Sequence, residues 1–223
     1  MSTVSDPFDQ LSALLKERDE AKLISFLQAQ PSVLTASQEN GPSGLMLIAY
    51  HRLAGVMPIA QELATSIGLY ESIAYGLLEN VQAAIDSKPD VLNQAAPDGF
   101  SPLCLAAYFG QFEVAQWLAE QGADVNQAAT NPSKVAPIHA AVAANHLGLV
   151  ELLIKKGADV NLTQTQGVTP LQSAAHRGNL EMVKTLIAAG ANPQAKMDSG
   201  DTALDFAKKD GHQTVIDYLS RQD

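Results

Sequence analysis

Hydrophobic positions in the second half of the chain recur as pairs of short runs with helical spacing. Between residues 98 and 126, small and aliphatic residues fill positions 103–107, and a stripe of Val114, Trp117 and Leu118 follows. Apolar residues three and four positions apart lie on one face of a helix, and small residues let neighbouring helices approach closely. This stretch therefore predicts a short, closely packed first helix and a second helix with a single apolar stripe.

Proline and glycine mark the limits of these helices at a regular interval. The prolines that begin the first helices lie 35 and then 33 residues apart, at Pro102, Pro137 and Pro170. The glycines after the second helices keep the same two intervals, at Gly122, Gly157 and Gly190. Ser101 and Thr169 stand where an N-cap oxygen is wanted, and proline suits the first turn of a helix. Gly110 and Gly178 are expected to end the first helices in the left-handed conformation.

The repeated unit resembles the ankyrin repeat. A period near 33 residues, an opening similar to Thr-Pro-Leu-His and the closing Gly-Ala-Asp-Val-Asn at residues 122–126 and 157–161 are typical of that family. The likeness is strongest over residues 98–192 and weakest before residue 66. It implies an all-α dominated fold, an ankyrin-repeat solenoid of stacked helix-turn-helix units with short β-hairpin or loop fingers.

The period also organises the chain into domains. It divides the 223 residues into about seven units, so no separate catalytic domain fits. We predict degenerate N-terminal helical units over residues 1–68 and regular ankyrin repeats with a C-terminal cap over residues 69–223, in one continuous solenoid. The terminal cap is indicated by the charged residues of the last unit, whose outer face has no neighbour.

The N-terminal third departs from the regular spacing. Gly55 corresponds to Gly110 of the regular repeat. In the unit after Gly55 the corresponding residue is Leu77, only 22 residues further on. This short step predicts that one finger is missing, and that the chain passes from a helix ending near residues 66–68 directly into the helix containing Ile73.

Composition and charge narrow the classes of partner. A formal net charge of −10 argues against nucleic acid or an anionic membrane, because both require a cationic surface. No run approaches the roughly 18 apolar residues of a membrane span, and the chain opens without the pattern of a signal peptide. We therefore expect a cytoplasmic protein. The single Cys104 excludes an internal disulfide framework and is interpreted as a small buried residue.

Residues capable of catalysis are sparse and repetitive. The histidines fall mostly at equivalent places in different units, and no Cys-x-x-Cys, His-Glu-x-x-His or Gly-x-Ser-x-Gly occurs. Asp124 and Asp159 are interpreted as turn residues. We predict that the protein is not an enzyme and has no catalytic residues, metal site or cofactor.

The resemblance to ankyrin repeats implies binding of a protein or peptide partner through the finger tips and the concave face of the first helices. The variable contact positions of that family identify a binding surface here, formed by Asp98, Phe100, Tyr108, Phe109, Lys134, Gln166, His176, Arg177 and Lys208. Aromatic residues beside His176 and Arg177 suit a mixed apolar and acidic segment. Packing of Tyr108 and Phe109 onto the neighbouring helix pair is the other interpretation.

An alternative function is a structural or inhibitory subunit, or a self-associating array, that makes contact through the N-terminal third. The apolar run over residues 45–50 favours it, although a buried helix would explain the same run. A protein that binds through the first-helix groove is expected to be a monomer when alone, so the dependence of mass on concentration separates the two.

Overall fold

The computed structural model describes residues 6–37 and 41–222. Within these ranges the chain forms fourteen α-helices, paired in order, and it divides into two compact units, Met1–Ser87 and Lys88–Asp223. The helices of the first unit are α1 (Pro7–Glu17), α2 (Glu20–Ala29), α3 (Gly44–His51), α4 (Met57–Leu63), α5 (Leu69–Ala74) and α6 (Leu78–Ser87). Those of the second unit are α7 (Pro102–Phe109), α8 (Phe112–Glu120), α9 (Pro137–Ala143), α10 (Leu147–Lys155), α11 (Pro170–His176), α12 (Leu180–Ala188), α13 (Ala203–Asp210) and α14 (Gln213–Leu219).

The connections between helix pairs are mostly loops and short 3₁₀ segments. The 3₁₀ segments are Pro31–Leu34, Pro89–Asn93 and Thr165–Gly167. The predicted all-α fold of helix-turn-helix units is confirmed. The fingers are loops rather than β-hairpins across the described ranges, where one isolated bridge between Ser37 and Ser43 is the sole β pairing.

Side-chain caps begin α7 and α11, two of the first helices of the second unit. Ser101 Oγ accepts a hydrogen bond from the backbone N–H of Cys104 at 3.2 Å, and Thr169 Oγ1 accepts one from that of Gln172 at 3.3 Å. Each cap satisfies one of the backbone donors that a helix start leaves without an intrahelical partner. The helix starts predicted from Ser-Pro and Thr-Pro are therefore confirmed.

A residue in the left-handed conformation separates the two helices of every described pair. These residues are Arg18, Arg52, Gly76, Gly110, Asn145, Gly178 and Gly211, at intervals of 34, 24, 34, 35, 33 and 33. The matching of Gly55 and Leu77 to Gly110 is therefore wrong, because Arg52 and Gly76 hold that place. A search guided by glycine passes over Arg52, since a side chain usually disfavours positive φ.

The missing finger is confirmed in the first unit, but the helix before it ends at Leu63 and not near residues 66–68. Helix α4 ends at Leu63 and α5 begins at Leu69, so the connection is too short for the loop that other pairs carry. The apolar run at residues 45–50 lies in α3, where Leu45, Met46 and Ile48 are buried. That run belongs to the core of the first unit and leaves little of its apolar surface for a partner.

The second unit is built from two layers of helices. The first helices contact one another in the order α7, α9, α11 and α13, and the second helices in the order α8, α10, α12 and α14. Leu103, Ile138 and Leu171 of the first layer are buried. Every first helix but the outermost lies between two neighbours, which leaves mainly its last turn exposed.

Candidate functional site

The candidate site is the row of last turns along the first layer, which we call the first-helix row. It consists of the two residues before each left-handed residue of the second unit: Tyr108 and Phe109, Ala143 and Ala144, His176 and Arg177, and Lys209 and Asp210. Helix α9 contacts both α7 and α11. The aromatic pair and the His-Arg pair therefore lie in the same row but on opposite sides of two alanines.

The aromatic end of the row is half-buried. The rings of Tyr108 and Phe109 meet edge to face, with centroids 5.2 Å apart and planes at 82°. Neither ring reaches full exposure and neither is fully covered. Each ring therefore packs on its surroundings and still presents apolar surface, and contact with a partner stays a prediction.

The charged end of the row is arranged around His176. Its Nδ1 lies 2.6 Å from Asp210 Oδ2, and its ring meets the edge of Phe206 at a centroid distance of 5.9 Å. The Nε2–H of His212 donates to the carbonyl oxygen of His176 at 2.9 Å. Arg177 is exposed and makes no ion pair within the described part of the chain. Its guanidinium is thus available to an anionic group.

The predicted finger residues differ in how far they are free to bind. The carbonyl oxygen of Asp98 accepts a hydrogen bond from Asn131 Nδ2 at 2.7 Å, which ties that residue to the next finger. Phe100 is half-buried, whereas Lys134 and Gln166 are exposed and have φ of 53° and 62°. The last two residues hold their loops in the left-handed conformation and point away from any packed core.

Lys208 lies one residue away from the slot assigned to it. Gly211 ends the hairpin between α13 and α14, so the two residues before it are Lys209 and Asp210. Lys208 is exposed, while Lys209 Nζ pairs with Asp201 Oδ2 at 2.8 Å. The charge that continues the first-helix row is therefore that of Lys209 and Asp210.

Backbone hydrogen bonds join successive fingers. Each later finger donates one N–H to the finger before it: Thr130 to Gly99 O at 2.9 Å, Thr165 to Ser133 O at 3.0 Å and Asp198 to Gln166 O at 2.9 Å. Within each finger, one residue closes the loop through a hydrogen bond from its own N–H, as Ala129 and Gln164 do. The residue immediately after it donates to the finger before. In the first finger of the second unit the closing residue is Ala96, so the donor position is Pro97, which has no N–H.

Asparagines tie the turns after the second helices together. Each side-chain oxygen accepts from a backbone N–H one unit later: Asn93 from Asp124 at 2.9 Å, Asn126 from Asp159 at 2.8 Å and Asn161 from Asn192 at 2.8 Å. The turn carboxylates act locally, since Asp124 Oδ1 accepts from Asn126 N–H at 2.9 Å. These bonds and those between fingers give the first-helix row a rigid support.

The buried histidine and cysteine side chains take part in the packing and hydrogen bonding of the fold. Burial lowers the pKa of His139, whose ring bridges the helix start and the following finger through Ala136 and Leu162. Burial also raises the pKa of the Cys104 thiol to about 12, which keeps it protonated near neutrality. Residues 6–37 and 41–222 contain no group of three or more His, Cys, Asp or Glu arranged to hold a metal ion. No helix in those ranges has the length and apolarity that crossing a bilayer requires.

One exposed aromatic residue escaped the sequence analysis. Phe112 is 45% exposed, more than any other large hydrophobic residue the structure describes, and it begins α8 on the second layer. Its position in the sequence could have indicated this exposure, because Phe112 precedes the buried stripe of Val114, Ala115 and Leu118 and does not belong to it.

The repeat geometry is matched by a comparison with known families. A family model described as ankyrin repeats (3 copies) matches residues 69–164 and, in a second placement, residues 138–223. The chain belongs to the ankyrin repeat family. Ankyrin repeats are generally protein interaction modules, and the repeat itself is an interaction fold without catalytic machinery. The predicted ankyrin fold is thereby confirmed.

Curated relatives of this ankyrin-repeat chain share only part of their length with it. Alpha-latrocrustotoxin-Lt1a of Latrodectus tredecimguttatus is 44% identical over 64 residues, which cover 28% of this chain and 4% of that protein. Ankyrin repeat and SAM domain-containing protein 6 of Rattus norvegicus is 35% identical over 117 residues, 52% of this chain and 13% of the relative. Ankyrin repeat and KH domain-containing protein 1 of Homo sapiens is 38% identical over 94 residues, 42% of this chain and 4% of the relative.

Proposed function

We propose that this ankyrin-repeat chain binds a protein or peptide segment along the first-helix row, with apolar groups on Tyr108 and Phe109 and an acidic group on Arg177. The observation that carries the proposal is the exposed guanidinium of Arg177 in the same row as two half-buried aromatic rings. Aromatic and arginine side chains on a rigid support are the residue types that dominate binding energy at protein interfaces.

The alanines between these two groups define the space for the segment. Ala143 and Ala144 carry the smallest side chains of the row, so a partner backbone can pass close to α9. Packed helices lie about 8–10 Å apart, which puts α7 and α11 roughly 16–20 Å from each other. An extended chain advances about 3.3 Å per residue. The segment we propose therefore carries its apolar and acidic residues about five or six positions apart.

The proposal gives the exposed finger residues a secondary role. Lys134 and Gln166 are exposed on loops of the same unit, which supports a role for them in contacting the flanks of a bound segment. The function is one of recognition without catalysis or a cofactor, carried out in the cytoplasm. The negative net charge of −10 favours a partner that is neutral or basic outside the acidic residue bound by Arg177.

The test uses peptides selected from a displayed random library against the intact chain. Their affinities are compared by titration calorimetry for the parent, Tyr108→Ala/Phe109→Ala and Arg177→Glu, after circular dichroism shows equal helicity. Each change should weaken binding about ten-fold or more, as expected for central anchors. Replacing the acidic residue of the peptide by lysine should restore affinity for Arg177→Glu.

Two control variants separate a local effect from a general one. Arg221→Glu makes the same change of charge at an exposed position outside the row, and Phe112→Gln removes an aromatic ring from the other layer. Both should bind as the parent does. If selected peptides bind all first-helix-row variants at full affinity, the proposal fails. Binding that instead requires residues of the first unit would favour the structural or inhibitory subunit.

A further inference from the structure

A further aromatic side chain lies at the far end of the first-helix row. Phe206 on α13 precedes Lys209 and Asp210 by three and four residues, so it shares the face that α13 gives to the row. Its ring is half-buried and meets the edge of the His176 ring on α11 at a centroid distance of 5.9 Å. The row therefore has aromatic side chains at both ends, on α7 and on α13.

The repeat does not require an aromatic ring at this position. Phe206 is the fourth residue of its helix, and the fourth residues of α7, α9 and α11 are Leu105, Ala140 and Ser173. Leu105 and Ala140 are buried, whereas Ser173 is half-buried. The fold thus accepts leucine, alanine or serine here, so the large and half-exposed ring of Phe206 is not a requirement of the repeat.

Two neighbours hold the Phe206 ring in place. Lys209 Nζ lies 5.7 Å from the ring centroid and is paired with Asp201 Oδ2 at 2.8 Å. His176, which contacts the ring, is paired with Asp210 Oδ2 at 2.6 Å. Both basic side chains already have a carboxylate partner within the chain, so Phe206 is supported by groups that are themselves fixed. An aromatic ring fixed in this way loses little conformational freedom when a partner binds.

The exposed guanidinium of Arg177 lies one helix away from this ring. Arg177 follows His176 on the last turn of α11 and forms no ion pair within the described ranges. Packed helices lie about 8–10 Å apart, and an extended chain covers that distance in about three residues. A segment whose acidic residue binds Arg177 therefore brings a residue about three positions away from it to Phe206.

We propose that Phe206 is a second apolar anchor of the first-helix row, and that the bound segment carries a second apolar residue about three positions beyond its acidic residue. This inference rests on the proposed function and narrows the class of partner. The segment reads apolar, acidic, apolar, with intervals of about five or six and then about three residues. The alanines of α9 and Ser173 of α11 leave room for its backbone between the two aromatic ends.

The first part of the test selects peptides from a displayed random library against the intact parent, Phe206→Ser and Phe206→Leu. Peptides selected against the parent and Phe206→Leu should share an apolar residue about three positions beyond the acidic one. Those selected against Phe206→Ser should lose that preference and keep the apolar residue that binds Tyr108 and Phe109. Both substitutions introduce residues found at the equivalent positions, Ser173 and Leu105, so the repeat accommodates them.

The second part is a double-mutant cycle between the protein and one parent-selected peptide. Titration calorimetry gives the affinities of the parent and Phe206→Ser for this peptide and for a copy whose second apolar residue is serine. Either change alone should weaken binding about ten-fold or more. Both changes together should bind within about three-fold of either single change, because the same contact is lost only once. Independent effects would overturn the inference.

Tyr218→Thr is the matched control. It removes a half-buried aromatic ring from the other layer of the same helix pair, and it introduces the residue found at the equivalent position of α12, Thr185. This variant should bind the peptides as the parent does. An equal loss of affinity in Tyr218→Thr and Phe206→Ser would assign the effect to a weakened last unit and would overturn the inference.

The variants also separate a failure of this inference from a failure of the proposed function. If Tyr108→Ala/Phe109→Ala and Arg177→Glu weaken binding while Phe206→Ser changes neither affinity nor the selected sequences, Phe206 only packs within the fold and this inference alone fails. If the selected peptides bind the variants at Tyr108, Phe109 and Arg177 at full affinity, the first-helix row is not the binding site and both fail.

Discussion

The Nε2–H of His139 donates to the carbonyl oxygen of Leu162 at 3.0 Å, and so links a helix start to the finger of the next unit. A carbonyl only accepts, so the proton is on Nε2 and leaves Nδ1 to accept from the N–H of Ala136 at 3.3 Å. Only the neutral imidazole makes both bonds. The side chain is 2% exposed, and its burial lowers the pKa.

A lowered pKa in the folded state makes stability depend on pH. The unfolded chain takes up a proton at His139 near the ordinary value of about 6.5, before the folded chain does. The stabilisation that neutral His139 gives the folded chain is therefore complete above that pH. As the pH falls toward the pKa of the folded state, the free energy of unfolding decreases by at most about 1.4 kcal/mol per pH unit. Urea unfolding at about pH 7.5 and about pH 5.5 measures the loss.

His139→Gln isolates that effect from other titrating groups. Gln172 shows that glutamine suits the position, because its Oε1 accepts from the N–H of Thr169 at 2.8 Å and its Nε2 donates to Ala195 O at 2.9 Å. The variant should match the parent within about 1 kcal/mol at the higher pH and exceed it at the lower pH. Parallel pH profiles for the two proteins would refute this account.

Asn126 is predicted to hold the turn of the following unit. Its Oδ1 accepts from Asp159 N–H at 2.8 Å and its Nδ2 donates to Gly157 O at 3.3 Å. Asn126→Ala removes both bonds and should lower the free energy of unfolding by about 1–2 kcal/mol. Asn126→Asp keeps the acceptor and should lose less. Hydrogen exchange of the Asp159 amide gives the local readout, and unchanged protection in Asn126→Ala would contradict the prediction.

Gly178 is predicted to be required for two reasons rather than one. It has φ of 67°, and a Cβ atom there would lie 2.5 Å from Nδ1 of His212. Gly211 holds the same place in the last unit with φ of 74°, but has no atom within 4 Å of a built Cβ. Gly211→Ala should cost about 1–2 kcal/mol for the backbone, and Gly178→Ala about 1–3 kcal/mol more for the clash.

A double-mutant cycle tests whether the extra cost comes from the imidazole. His212→Ala removes the ring that a Cβ at Gly178 would meet. In the His212→Ala background, Gly178→Ala should lower the free energy of unfolding no more than Gly211→Ala does in the parent. The effects of Gly178→Ala and His212→Ala would then be coupled. Chemical denaturation of the four proteins gives the coupling energy. Additive effects would show that backbone conformation alone explains the requirement for glycine.

Cys104 is predicted to be unreactive while the chain is folded. Burial raises the pKa of its thiol to about 12, and the thiolate is the reactive form. A thiol reagent at about pH 8 should label it slowly in native buffer and fully in concentrated guanidinium. The rate is followed by absorbance. Labelling that is equally fast in both solutions would show that the side chain reaches solvent without unfolding.

Local chemistry made the repeat framework predictable from the sequence. A cap such as Ser101, a proline at the first turn and a glycine such as Gly110 specify their backbone conformations by themselves, so helix starts and ends could be found without tertiary contacts. Arg52 adopts the same left-handed conformation although an arginine side chain disfavours it. Its place emerges only from the packed structure, which is why the register of the first unit was misplaced.

The candidate surface was harder to predict because it depends on stacking order. The sequence indicates which slots face outward, but not how far each of those side chains is exposed. The pairing of His176 with Asp210 also requires two units to lie side by side. Exposure of Phe112 depends on the absence of a side chain at Gly148 in the next unit, a relationship that no single helix reveals.

Pro97 gives the row of fingers in the second unit a defined beginning. Later fingers donate an N–H to the one before, but the first finger can only accept at this position. An extended segment from another molecule laid against Pro97 would find no backbone donor at that residue, which disfavours strand pairing there. Any attempt to lengthen the array by inserting a repeat before residue 95 would gain the finger bond only if Pro97 were first replaced by a residue with an N–H.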